Sequence, residues 1–297
     1  MRGPKYLRKV IHICAEDSPN VIAQEDVLPG VLSYDLYLQR RKMWDPMRQC
    51  IGLDGQFYLG SEALMFPTDW LNASTEAARQ LEGAKRQAKA IGVDTAEGGD
   101  STCWCVIDEL GIIELISMKT PDTNMIPGKT RALAEKHNLS PKQVMFDSGG
   151  GGSIHVDRLR ANRFPCRTVG FGESANDDKP RFLPYQRRDE SYNKSAGYKN
   201  RRAQIYWFIR EAIDPNGKTP FAIPHSMQEL RRQLAPIPLR YDEEGRVLLL
   251  PKKTKHGSST ESLESLLGCS PDEADSLAVA MYAMRNPKAG TKKVRVF

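Results

Sequence analysis

An α/β fold is predicted for the chain from residue 90 onward, on three observations. Strand-length apolar runs at 90–95, 102–107 and 111–118 succeed one another with only tight turns between them, which favours an antiparallel meander. Helix-length and strand-length segments then alternate from 130 to 170, as in a sheet with crossover helices. An apolar helix at 272–284 closes the pattern.

Before the sheet, residues 1–84 form a region of irregular and helical character, in which Pro19, Pro29, Pro46 and Pro67 interrupt short apolar runs. Residues 7–15 alternate like a strand and 33–43 suit a helix. The Ala, Glu, Gln, Arg and Lys of 72–89 favour a linker helix capped by Asn72 or Ser74. The first strand of the main domain, 85–290, ends in Asp94 and is followed by the turn Glu97-Gly98-Gly99-Asp100. The next two strands are joined by Asp108-Glu109-Leu110. A helix at 130–137 leads to a strand at 143–146 ending in Asp147. The glycines at 149–152 open a helix at 153–162, and 166–170 is the next strand. Helices follow at 203–213 and 225–235, then a hairpin of 239–241 and 246–250 turning through Asp242, Glu243, Glu244 and Gly245. Residues 291–297 are a basic tail.

Composition excludes several classes. The 297 residues are 40% hydrophobic and 27% charged, enough apolar mass for a real core. No run approaches the roughly 20 apolar residues that span a bilayer, and the N-terminus lacks a signal-peptide core, so an intracellular protein without a membrane partner is expected. The six cysteines (Cys14, Cys50, Cys103, Cys105, Cys166, Cys269) include no CxxC pair and read as reduced thiols. The formal charge of +6 is modest, but between 179 and 202 eight basic residues face only Asp189 and Glu190, with Tyr185, Tyr192 and Tyr198 interleaved. That is either a solvated face or a segment that tracks phosphates.

The residues with chemistry are carboxylates. Asp94 and Asp147 each close a strand, and groups at strand ends converge in one crevice of an α/β sheet. Asp272 and Asp275 open the last helix three residues apart and share a face. Taken singly, Asp94 and Asp100 are ordinary turn residues, and Asp272 and Asp275 ordinary first-turn acids. Taken together, such acids repel unless a cation neutralises them, and hard divalent ions suit an all-oxygen set. Two ions roughly 3.5–4 Å apart can hydrolyse a phosphodiester.

Other motifs are weaker. Gly128-Lys129-Thr130 imitates a P-loop end, but Thr123 stands where that motif needs glycine, so no ATP site is expected. The glycines at 149–152 suit either a phosphate cradle beside Asp147 or a plain turn. None of His12, His137, His155, His225 and His256 has a ligand spacing, and Tyr206-Trp207-Phe208 shares the apolar pattern of a helix core.

At these residues the sequence resembles the large terminase subunit of tailed bacteriophages. Ile91-Gly92-Val93-Asp94-Thr95-Ala96 with Gly98-Gly99-Asp100-Ser101-Thr102 is similar to that family's first nuclease motif, and Val144-Met145-Phe146-Asp147 with its glycine run to the second. Ser270-Pro271-Asp272-Glu273-Ala274-Asp275-Ser276-Leu277 resembles the third. Tyr198-Lys199-Asn200-Arg201-Arg202-Ala203-Gln204 and the segment from Gly245 through Lys252 also look like family segments, so the resemblance covers about 90–284. Upstream, Asp17-Ser18-Pro19-Asn20-Val21 and Leu28-Pro29-Gly30 resemble the tail of the packaging ATPase and its linker, which assigns 1–84 to that remnant. The Walker A motif is missing, so nuclease without motor activity is expected.

The resemblance implies an RNase H-like fold, a central mixed sheet flanked by helices. It implies an endonuclease cutting double-stranded viral DNA during packaging with two magnesium or manganese ions. The ligands would be Asp94, Asp147 and Asp275, with Asp100 and Asp272 as auxiliaries. DNA contacts would come from the basic stretch Arg187, Arg188, Lys194, Lys199, Arg201 and Arg202 and from Arg246, Lys252 and Lys253 near the hairpin. Portal protein, small terminase subunit and packaging ATPase would be partners, in the cytoplasm of a bacterial host, including expression from a prophage. Two other readings fit the residues: an RNase H-like nuclease for branched DNA or RNA/DNA hybrids, and a DNA-binding or docking module without catalysis. Parallel assays on duplex, junction and hybrid substrates separate the first, and indifference to Asp94→Ala and Asp147→Ala would mark the second.

Overall fold

Alternation within the strands decides the layering. The computed structural model describes residues 12–44, 49, 52–55, 64–96, 100–176, 197–216, 219–242, 246–253 and 261–287. Contacts divide the chain into two units, Met1–Ala63 with Arg181–Ser195, and Leu64–Pro180 with Ala196–Phe297.

In the first unit, a 3₁₀ turn Ala15–Asp17 leads into α1 (Pro19–Ala23) and then α2 (Tyr34–Met43), whose N-cap Ser33 accepts from Leu36 N. The buried Asn20 side chain ties the loop between them by donating to the Leu28 and Leu32 carbonyls and accepting from Leu28 N. The strand expected at 7–15 lies mostly outside the described residues. Its end is a 3₁₀ turn, held by Cys14 N donating to Asp17 Oδ2.

The second unit opens with α3 (Thr68–Gln80), which begins and ends earlier than the linker helix expected at 72–89. Tertiary contacts explain the early end: Gly83 turns the chain with φ +75°, and Arg86 is drawn out to Asp108 and to the Gly111 and Ile112 carbonyls. The buried Leu71, Ser74, Thr75 and Ala77 make α3 part of this unit, upstream of the boundary at 84/85 read from sequence.

Five strands follow: β1 (Ala90–Asp94), β2 (Ser101–Ile107), β3 (Ile112–Lys119), then, after α4 (Met125–Lys136), β4 (Val144–Asp147), and, after α5 (Gly152–Ala161), β5 (Arg167–Val169). The sheet order is β3-β2-β1-β4-β5. The first three strands are the expected antiparallel meander, while β4 pairs parallel to β1 and to β5, so the sheet is mixed. The meander's second turn is an Asx turn, Asp108 Oδ1 accepting from Leu110 N and Gly111 N. Helix α4 starts earlier than residue 130 because Pro127 falls in its first turn, where a missing N–H costs nothing.

On one face of the sheet Ile91, Val93, Trp104, Val106, Val144 and Phe146 pack against Ile126, Leu133 and Ala134 of α4 and Val156 and Leu159 of α5. The opposite face, with Gly92, Cys103, Cys105 and Met145, is covered by the last helix. The intervening elements are α6 (Arg201–Ile213), α7 (Gln228–Leu234), the hairpin β6 (Arg240–Tyr241) and β7 (Val247–Leu248), and α8 (Leu263–Leu267). The last helix, α9 (Asp272–Arg285), is buried from Asp272 to Ala283 between the sheet and α6. Its final carbonyls are met by Arg167, whose guanidinium donates to Ala283 O and Asn286 O at 2.9 and 2.6 Å, a cation at the negative end of the helix dipole.

A candidate metal centre where two strands meet a helix

The register places the two strand-end acids side by side. β1 and β4 run parallel with Val93 opposite Phe146, so one step further Asp94 stands beside Asp147 on the face covered by α9. Gly92 lets the helix come down on them: a Cβ there would sit 2.2 Å from both Ala280 N and Ser276 O. No other residue permits that approach, and it brings the first turn of α9, with Asp272 and Asp275, to the end of β1.

The glycines after β4 clasp the same corner. Gly150 (φ +52°) has no room for a Cβ beneath the Thr95 carbonyl, and its own carbonyl accepts from Thr95 Oγ1 at 2.7 Å. Asp147 Oδ1 accepts from Gly149 N at 3.2 Å. The run thus locks the ends of β1 and β4 to each other.

Among the acids sits an ammonium. Lys252 Nζ lies 3.0 Å from Asp275 Oδ2, 3.6 Å from Asp94 Oδ2 and 3.7 Å from Asp272 Oδ1. The start of α8 pins its backbone, Leu263 N and Glu264 N donating to the Pro251 and Lys252 carbonyls. Asp275 is further held by Arg202 and Tyr206. Asp272 accepts from Ser101 N at 2.9 Å and from Ser270 Oγ, which fixes the start of β2 beside Asp100. Asp100 itself is solvent-facing, 4.0 Å from Lys253 Nζ.

Burial and mutual repulsion set the protonation. Asp94 is pushed well above the usual carboxylate range, first by burial and then by the charges of Asp275, Asp147 and Asp272, with Lys252 opposing. Burial raises Asp147 to about 6, against the Gly149 hydrogen bond, and Asp275 adds to the rise. Asp272 is also raised, chiefly by burial. Asp275 goes the other way: burial would raise it, but Arg202, Lys252 and the Tyr206 hydroxyl together hold it low. Lys252 remains charged despite burial because Asp275 and Asp94 face it.

The donor set is therefore four carboxylates converging from two strands and a helix, short of positive charge, and its hard oxygens fit magnesium or manganese. The acids are spread around Lys252 rather than drawn in as ligands, and among the described residues no group of three His, Cys, Asp or Glu side chains is closed up as a metal site.

Several of the basic residues expected to touch DNA are placed otherwise. Arg202 is buried against Asp275, and Arg201 is buried beside Gln204, its Nη1 donating to Gln204 Oε1 at 2.8 Å, because α6 is sunk between α3 and α9 instead of lying on the surface. Lys252 points into the acids rather than outward. Arg246 pairs with Asp242 at 2.7 Å, and Lys199 lies 3.6 Å from the same carboxylate. Lys199 and Lys253 retain substantial exposure, and Arg187, Arg188 and Lys194 lie outside the described residues. Sequence reasoning missed Tyr206 as a site residue. The available signal was a hydroxyl four residues from an arginine in a helix otherwise apolar enough to be buried on every side.

A five-stranded mixed sheet flanked by helices, with aspartates at the ends of its adjacent parallel strands and on a helix laid across them, defines an RNase H-like domain. The fold is that of the nuclease domain of phage large terminase subunits. The nuclease domain of the large terminase subunit gp2 of bacterial virus Sf6 is similar with a TM-score of 0.56 and 19% identity, over 73% of this chain and 98% of that one. A lysine-to-alanine mutant of that domain with manganese and β-thujaplicinol gives 0.55 at 19% identity, and one with calcium gives 0.55 at 20%, with the same coverage. No family model matches the chain, and no curated protein matches it. Among the described residues no helix is long and apolar enough to cross a membrane.

Proposed function

We propose that the chain is a divalent-metal-dependent endonuclease that cuts double-stranded DNA during viral genome packaging. The observation that carries this reading is the meeting of Asp94, Asp147, Asp272 and Asp275 at one corner of a terminase-nuclease fold, around a point already held by a cation. Asp94, Asp147 and Asp275 would hold magnesium or manganese, with Asp272 and Asp100 as auxiliaries. The metal, when bound, supplies Lewis acidity toward a phosphodiester.

The chain's own residues prepare that chemistry. Asp94 and Asp147 carry the less committed oxygens, since Asp275 and Asp272 are tied to Arg202, Tyr206, Ser101 and Ser270. With the four acids ionised, Arg202 and Lys252 leave two negative charges uncompensated, the charge of one divalent ion. A second ion requires further negative charge, as from a DNA phosphate, or withdrawal of the Lys252 ammonium. Lys253 and Lys199 are exposed and suited to backbone phosphates, which implies weak sequence preference and strong salt dependence. Residues 1–84 are assigned by the same reading to the packaging ATPase's tail and linker, and portal, small subunit and motor are the partners it implies.

Plasmid cleavage with magnesium, manganese or EDTA tests the reading. Wild type should cut with either ion and not in EDTA, and Asp147→Asn should lose at least about 100-fold in rate. Intact plasmid in every lane, or cutting that survives EDTA, overturns it.

A further inference from the structure

Building on the nuclease reading, we propose that Tyr206 and Arg202 are positioning residues that clamp one carboxylate oxygen of Asp275 so that the other faces the cation site. The two oxygens of Asp275 have different surroundings. Oδ1 accepts from the Tyr206 hydroxyl at 2.6 Å and from Arg202 Nη2 at 2.8 Å. Oδ2 accepts only a longer bond, 3.1 Å, from the same Arg202 nitrogen and is the oxygen that meets Lys252 Nζ, at 3.0 Å, on the side of Asp94. Oδ1 is the anchored atom and Oδ2 the presented one.

The clamp is itself braced. Arg202 and Tyr206 lie four residues apart on α6 and so share the face that packs on α9. The guanidinium sits 5.1 Å from the Phe171 ring and 5.5 Å from the Tyr206 ring, which fixes its plane. Tyr206 and Asp275 are fully buried and Arg202 is 7% exposed, so the cluster is shielded from bulk water. A buried ionic cluster is not by itself a gain in stability over apolar packing. What this one does is hold the aspartate in one orientation before a cation arrives. Ordering done in advance is not charged to binding, so its loss falls on metal affinity.

The test uses the full chain and Tyr206→Phe, which keeps the ring and removes only the hydroxyl, together with Arg202→Lys and Arg202→Gln. Manganese binding is measured by calorimetry without DNA, plasmid cleavage is followed across a manganese series, and melting is recorded in EDTA. Tyr206→Phe should weaken manganese binding about tenfold, within the range for groups that orient a metal ligand. Its cleavage deficit should be about tenfold larger at limiting than at saturating manganese. Arg202→Lys should recover part of the affinity lost in Arg202→Gln. Unchanged manganese affinity in Tyr206→Phe, whatever its melting temperature, overturns the clamp. If Tyr206→Phe fails to fold, equal affinities in Arg202→Lys and Arg202→Gln overturn it instead. Wild type that binds manganese but leaves plasmid intact overturns the nuclease reading alone, because the calorimetric difference still decides the clamp.

Discussion

Lys252 shows how much one side chain's direction matters. In sequence it belongs with Lys253 as a basic pair beside the hairpin, yet its ammonium lies within 4 Å of Asp94, Asp272 and Asp275 while Lys253 faces outward. It offsets repulsion among buried acids, of which Asp275 also has Arg202 beside it, and it competes with any divalent ion for the same oxygens. Lys252→Ala should therefore have two opposite effects. In EDTA the chain should lose about 2 kcal/mol, below the roughly 3–5 typical of breaking a buried pair because the side chain is 29% exposed. Manganese should bind more tightly and more than restore the loss. Thermal melting with and without manganese reads both, and an unchanged melting temperature in EDTA would contradict this role.

At the scale of elements, the site depends on how closely α9 lies on β1. Gly92→Ala would drive a Cβ into backbone atoms of Ser276 and Ala280, so the helix itself must move, carrying Asp272 and Asp275 away from Asp94. A loss of at least about 1–3 kcal/mol is expected from such overpacking, with weaker manganese binding. Gly128→Ala in α4 is the control, since nothing lies within 4 Å of its Cβ position, and it should be neutral or stabilising by roughly 0.5–1 kcal/mol. Urea unfolding of the two variants separates these outcomes, and equal stability would show that the helix does not rest on Gly92. The elements themselves were largely legible. The meander, the strands ending in Asp94 and Asp147, and the last helix all follow from apolar period and turn residues. The error at α3 arose because composition favours helix through residue 89, whereas the pull of Asp108 on Arg86 acts across 22 positions.

For the whole molecule, the acid cluster couples stability to pH and to metal. Asp94, Asp147 and Asp272 hold protons more tightly folded than unfolded. Their contribution to stability is complete below the ordinary carboxylate value of 3.8 and is lost as pH rises, for Asp147 through about 6. Asp275, held low, contributes the opposite way: its share is complete above the ordinary carboxylate value and is lost as pH falls below it. Protons at Asp147 thus compete with a cation. Manganese should raise the melting temperature more at pH 7.5 than at pH 5.5, and a shift equal at the two values would show that the acids are not the binding site.

By itself the sequence determined the α/β class, the order of strands and helices, and the positions where acids end strands or open a helix, because those depend on local periodicity and turn chemistry. Side-chain direction was decided only by tertiary structure. Arg201 and Arg202 look like a surface stripe until α6 is placed between α3 and α9, and Lys252 looks like a DNA contact until α8 fixes its backbone beside the acids. Whether a charged group faces water or another charge is settled by what packs against it, and such neighbours lie on other elements, out of reach of local periodicity.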